Sequence, residues 1–133
     1  MGTYIVTGAA GGVGRASVEA LVARGDRVVA EDLDPAVEAL AGDSVAVVVG
    51  DVADSATVAA VVETALARFG GIDGLVNNAA RFLMAPIEAT EPETWDELFR
   101  VNVRGAYLHT RAVMPHLIES RGAIVNVTSI SGP

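Results

Sequence analysis

The chain contains no cysteine and no lysine. Without cysteine there are no disulfides and no thiolate metal sites, which agrees with a cytoplasmic protein. Without lysine there is no phosphate loop of the type that ends in Lys-Ser/Thr. Positive charge is scarce altogether: 9 basic residues, every one an arginine, face 17 acidic ones, for a net charge of -8 and a pI near 4.5. A nucleic-acid partner demands a basic face, so this balance argues against one. No apolar run approaches membrane-spanning length and no signal peptide opens the chain, so a membrane partner is not expected either.

What is present is an ordinary globular balance, 51% hydrophobic and 20% charged over 133 residues. That length suits one domain, residues 1–133, large enough to bury a core. Five short runs rich in valine or isoleucine punctuate it: Tyr4 to Thr7, Arg27 to Asp32, Val45 to Gly50, Gly74 to Asn77 and Ala123 to Thr128. Continuous apolar runs of this kind fit parallel strands covered on both faces. Helical patterns lie between them. From Ser55 to Phe69, Val58, Val61, Val62, Ala65, Leu66 and Phe69 form one apolar stripe, with Asp54 as N-cap and Gly70-Gly71 as the stop. Another helix follows Gly14 and ends at Gly25, and a short one opens at Pro35 with Asp34 as its cap. A longer helical region spans Pro92 to Glu119, broken near Asn102 and kinked by Pro115. The alternation predicts an α/β doubly wound parallel sheet with right-handed crossovers.

Ligands of such sheets sit beyond the carboxyl ends of the strands. After the first run comes "TGAAGGVG", Thr7 to Gly14. Gly8 suits the turn out of the strand, Gly12 a close approach of backbone to phosphate, and Gly14 the packing of helix on sheet. The helix behind them carries unpaired N–H groups and partial positive charge, so a pyrophosphate can be held without lysine. The spacing is G-x-x-x-G-x-G and differs from G-x-G-x-x-G. A merely flexible glycine turn is the plainer alternative.

"TGAAGGVG" resembles the T-G-x-x-x-G-x-G cofactor loop of the short-chain dehydrogenase/reductase family. Further landmarks of that family follow in order: "GDV" at Gly50 to Val52, "LVNNAA" at Leu75 to Ala80, "VNVRG" at Val101 to Gly105, and "GAIVNVTSISG" at Gly122 to Gly132. The resemblance implies a Rossmann-like sheet truncated after its fifth strand, NAD as cofactor, and hydride transfer between nicotinamide and a secondary alcohol or ketone. It implies that Gly8, Gly11, Gly12, Val13 and Gly14 line the pyrophosphate and that Asp51 and Val52 meet the adenine. Asn78, Ala79 and Ala80 would stand beside the cofactor, with Ala80 where the family usually has glycine. Asp32 occupies the position of a ribose 2′-OH reader, with Glu31 and Asp34 adding to the repulsion of a 2′-phosphate. Gly11 and Leu33 stand where NADP-preferring members usually place a base. The alternative for Asp32 is a cap on the turn into Asp34-Pro35.

Two catalytic roles map onto this chain: Ser129 hydrogen-bonding the substrate oxygen, and Asn102 holding a water in the proton relay. The family's Tyr-x-x-x-Lys pair does not map. Tyr4 and Tyr107 are both expected to pack, and no lysine exists. His109 and His116 are expected to be packed or solvated, with no metal site, and Phe82, Leu83 and Met84 to serve as core, substrate or oligomer contacts. The expectation is an NAD-dependent oxidoreductase, a homo-oligomer when full length, of which the 133-residue chain is inactive alone. The alternative is a non-catalytic nucleotide-binding or interaction module.

Overall fold

A computed structural model describes residues 1–129; the Ile130, Ser131 and Gly132 of the serine-strand motif lie outside the described residues. Five strands form a single sheet: β1 (Thr3–Thr7), β2 (Arg27–Asp32), β3 (Val45–Val49), β4 (Gly74–Asn77) and β5 (Ala123–Asn126). All pairings are parallel, and the order across the sheet is β3-β2-β1-β4-β5. Ile5 of β1 stands in register with Val29 of β2 on one side and Leu75 of β4 on the other. This is the doubly wound arrangement that the alternating runs require.

The helices α1 (Gly12–Ala23), α2 (Ser55–Phe69), α3 (Pro92–Phe99) and α4 (Ala106–Ser120) cover the two faces. On one face Ile5, Val29 and Leu75 pack against Val61 and Ala65 of α2 and Val113 and Leu117 of α4. On the other, Val6, Val28 and Ala30 meet Val18 of α1 and Val37. Each side chain fully withdrawn from water here contributes roughly 1.5–3 kcal/mol before conformational entropy is counted. The caps form as the residues dictate. Asp54 accepts a bond from Ala56 N at 3.0 Å, and Gly70 closes α2 in the left-handed region at φ 83°. Asp34 accepts from Ala36 N at 2.9 Å, and Pro35 opens a 3-10 turn, Pro35–Leu40.

The long helical region departs from expectation. It does not break at Asn102; between α3 and α4 the backbone widens into a π-helical turn over Arg100–Gly105. Such bulges keep the helix running while redirecting side chains and are frequent at functional sites. Gly105 is required at the end of it, because a Cβ there would lie 2.7 Å from Val52 Cγ1. Helix α4 continues through Pro115 to Ser120. Strand β5 ends at Asn126, two residues before the apolar run does, and stands at an outer position of the sheet with Val125 exposed.

Candidate functional site

The strand order turns around at β1 and β4, and the loops leaving these two strands diverge to open a crevice. Thr7 and Asn78 hold its base together. Thr7 Oγ1 accepts bonds from the N–H groups of Asn78 and Ala79, each at 3.0 Å. Asn78 Nδ2 donates back to the carbonyls of Thr7 at 3.1 Å and Gly8 at 3.0 Å. Two glycines make this closeness possible. Gly8 has φ +66°, and a Cβ on it would lie 2.8 Å from Ala79 Cα. Gly14 sits inside α1 with its missing Cβ only 2.0 Å from Gly8 O. Gly14 is thus a packing glycine, as its place in the loop suggests.

Gly11 and Gly12 differ in kind. A Cβ on either would meet nothing within 4 Å, and Gly12 adopts φ +54°. No side chain caps the start of α1 and no acid occupies its first turn. Its first N–H groups therefore stand free beneath open space, suited to an anion. Val13 is exposed, and Arg15 pairs with Glu19 at 3.0 Å on the helix surface, away from any ligand role.

A cleft of about 710 Å³ runs from this loop along the carboxyl ends of the strands. Gly8, Gly11, Asp32, Leu33, Asp51 and Val52 line it, as do Asn78, Ala79 and Ala80. Nine of the expected cofactor-binding positions thus share one cavity. Gly12, Val13 and Gly14 are outside its lining. Asp32 is anchored at both oxygens: Oδ2 accepts from Ala10 N at 2.8 Å and Oδ1 from Asp34 N at 2.9 Å. It caps the turn and also braces the glycine loop, and a carboxylate oxygen so engaged keeps a lone pair for a hydroxyl.

The neighbouring Glu31 overturns one expectation. It does not add a surface charge, because it is buried, 1% exposed, on the other face of β2. Burial first, then the charges of Asp32 and Asp51, push its carboxyl up to about 8.

Across the cleft, Asp51 receives Ala53 N at 2.9 Å on Oδ1 and Arg100 Nη2 at 2.7 Å on Oδ2. The hydrogen bond from Arg100 holds the Asp51 carboxyl below the usual carboxylate range. Arg100 also grips Glu97 through Nε at 2.6 Å, and Arg81 reaches the same Glu97 at 3.0 Å. Held chiefly by Arg100, the Glu97 carboxyl falls to about 2. The chain of charges joins the turn after β3, α3 and the segment after β4. Sequence reading missed it, although Glu97 and Arg100 stand at i, i+3 on a helix.

Asn102 projects from the π turn with both polar atoms on the backbone of one residue: Oδ1 accepts from Arg81 N at 2.7 Å and Nδ2 donates to Arg81 O at 2.8 Å. The side chain fixes the segment leaving β4. Ser129 is exposed beyond the carboxyl end of β5, so both candidates stand at the cleft's end of the sheet. His109 is fully buried; its Nδ1 lies 3.0 Å from the carbonyl of Gly105, which fixes that nitrogen as the donor, and burial lowers its pKa. His116 is half-buried, and no cluster of metal-ligating side chains occurs among the described residues.

The packing expected of Tyr107 needs correction, and of the alternatives for Phe82, Leu83 and Met84 exposure removes the core while leaving substrate or oligomer contact. Tyr107 is 56% exposed, and Phe82 and Met84 are 74% and 86% exposed, so none of them is core. Leu83, at 41%, is also exposed. Tyr4 is half-buried at the amino end of β1, away from the cleft, its ring under Arg24 and filling the space over Gly2 and Gly74.

Comparison with known proteins gives a consistent result. The model of the short chain dehydrogenase family matches residues 3–133. The chain is 41% identical to 2-(R)-hydroxypropyl-CoM dehydrogenase of Xanthobacter autotrophicus, over 96% of this chain and 56% of that protein. It is 39% identical to sorbitol dehydrogenase of Cereibacter sphaeroides, over 98% and 53% respectively. Among solved structures, a 3-ketoacyl-(acyl-carrier-protein) reductase from Brucella melitensis complexed with NADH superposes with a TM-score of 0.92 at 38% identity, over 96% of this chain and 57% of that one. The chain spans about half the length of the curated relatives it matches.

Proposed function

The chain belongs to the short chain dehydrogenase family, and from that membership we propose that it holds NAD in the cleft, as the cofactor-binding half of an oxidoreductase acting on a secondary alcohol or ketone. One observation carries the reading: a single cavity is lined by Gly11, the residue that precedes the uncapped N-terminus of α1, and by an anchored carboxylate, Asp32. The residues present fit a nicotinamide dinucleotide. The N–H groups of α1 would face the pyrophosphate, with Gly8, Gly14 and Val13 shaping the loop. Asp32 would accept from a ribose hydroxyl and Leu33 would border it. Asp51 and Val52 would border the adenine, and Asn78, Ala79 and Ala80 the far ribose. When bound, the cofactor supplies a hydride donor or acceptor at its nicotinamide ring.

Toward the substrate, the Ser129 hydroxyl donates to the oxygen that gains or loses charge, and Asn102 keeps the segment beside it in place. Proton transfer at that oxygen needs a group poised for it. Tyr4 lies at the far end of β1, Tyr107 points outward from α4, and no lysine exists to lower either pKa. The 133 residues therefore bind cofactor and steady a substrate without turning it over.

Asp32 makes the reading testable. Calorimetric titration is expected to show NADH bound at least about tenfold more tightly than NADPH, since a 2′-phosphate would meet a fixed carboxylate. Asp32→Asn, which removes the charge at constant size, narrows that ratio. Equal or tighter binding of NADPH by the unaltered chain sinks the assignment of NAD.

Lack of cysteine agrees with a cytoplasmic enzyme, and among the described residues no helix is long and apolar enough to cross a membrane. Homo-oligomerisation is supported by exposed apolar side chains, Phe99, Val103, Tyr107, Met114 and Ile118, from the end of α3 through the π turn and along α4, and by the outer edge of β5. Light scattering after size-exclusion chromatography should give a dimer or larger; a monomer at micromolar concentration argues against it.

A further inference from the structure

Strand β2 ends in two successive acids, and the pleat sends them to opposite faces. Asp32 turns to the glycine loop. Glu31 turns to the face of Val29 and lies beneath the cleft that both acids line. Its Oε2 is fully buried and has no hydrogen-bond partner among the described residues. An apolar residue at this central strand position would carry no such desolvation cost, whereas a buried carboxylate without a cation is seldom tolerated.

No cation is free to neutralise it among those lining the cleft. Arg100 is committed to Asp51 and Glu97, and Arg81 to Glu97. The charged groups that act on Glu31 are both acidic. Asp32 follows it on its own strand, and Asp51 faces it from the turn after β3. Its register partners are Thr7 on β1 and Val48 on β3, and from the glycine loop Ala9 donates only to the backbone carbonyl of Glu31, at 3.0 Å.

We propose that Glu31 is a proton-dependent determinant of ligand binding: neutral, it admits an anionic dinucleotide to the cleft, and ionised, it adds a further carboxylate charge beneath the ligand, beside Asp32, Asp34, Asp51 and Glu97, and weakens binding. The inference rests on the dinucleotide reading above. Because the carboxyl titrates at about 8, the change falls where the chain can be studied. Linkage then requires that binding take up a proton near that pH.

NADH is the probe, titrated into the 133-residue chain from pH 6 to 9.5. The dissociation constant is expected to rise roughly tenfold between pH 7 and pH 9. Glu31→Gln, which keeps the shape of the neutral acid, should flatten that profile. A second measurement needs no variant: calorimetry at pH 8 in buffers of different ionisation enthalpy should show net proton uptake by the unaltered chain. A Glu31→Gln profile as steep as that of the parent overturns the inference, and so does binding without proton uptake. Absence of NADH binding at every pH in both proteins overturns the dinucleotide reading itself, and the inference with it.

Discussion

Gly14→Ala is expected to destabilise the chain by roughly 2–3 kcal/mol, lower its melting temperature by about 10 °C and abolish dinucleotide binding. Two effects oppose each other at this position. Alanine within a helix is favoured over glycine by up to about 1 kcal/mol. Against that, the new Cβ would stand 2.0 Å from Gly8 O and 2.6 Å from Asn78 Nδ2. Neither neighbour can yield cheaply. Gly8 O is backbone, and Asn78 Nδ2 is tied to the carbonyls of Thr7 and Gly8 that join β1 to the end of β4. Relief requires α1 to move off the sheet, which carries its free N–H groups away from the cleft. Gly71→Ala is the control, because a Cβ there meets nothing within 4 Å and no positive φ is needed. It should change stability by less than about 0.5 kcal/mol. Equal melting temperatures for the two variants would show that the packing of α1 on the loop is looser than described.

Glu31→Gln carries the second large effect, and here the pH dependence of stability is the signature. The folded carboxyl titrates at about 8, against an ordinary value of 4.5. The folded chain therefore binds more protons than the unfolded chain between those values. Stability from the neutral carboxyl is fully present below pH 4.5 and is lost progressively as the pH rises to 8. The total is on the order of 5 kcal/mol. A neutral amide does not titrate, so the variant should gain on its parent across that window and be the more stable protein at pH 8.5. At pH 5 the order reverses or closes, since an amide in a site without partners has its own desolvation cost of about 1–3 kcal/mol. Chemical denaturation at pH 5, 7 and 8.5 measures this. Parallel stability curves for the two proteins would mean that Glu31 is solvated or paired in solution.

These two positions also show what the sequence makes legible. Gly14 is readable because the constraint on it is local: a strand, a loop of fixed spacing and a helix. The same locality explains why β2 at Arg27–Asp32, α2 at Ser55–Phe69 and β4 at Gly74–Asn77 have the bounds that periodicity and caps predict. Glu31 reads naturally as one more charge beside Asp32. Its burial depends on β1 and β3 flanking β2 and on what covers the sheet, none of which is written in a six-residue run. The π turn is the same kind of case. Asn102 closes on the backbone of Arg81, 21 residues away, and Arg100 reaches Asp51 across 49. Long-range partners of this sort override local helix preference. The exposure of Tyr107 follows from the face that α4 turns to the sheet, where His109, Val113 and Leu117 are the buried residues.

The proposal with the most at stake is that this chain holds NAD without using it. The direct measurement is a titration of the purified 133-residue chain with NADH, followed in the same sample by addition of small ketones and 3-ketoacyl thioesters while NADH absorbance is recorded. Saturable binding with no substrate-dependent loss of absorbance is the expected result. Oxidation of NADH by the chain alone would contradict the claim, because a proton donor would then be at work that neither Tyr4 nor Tyr107 is placed to provide.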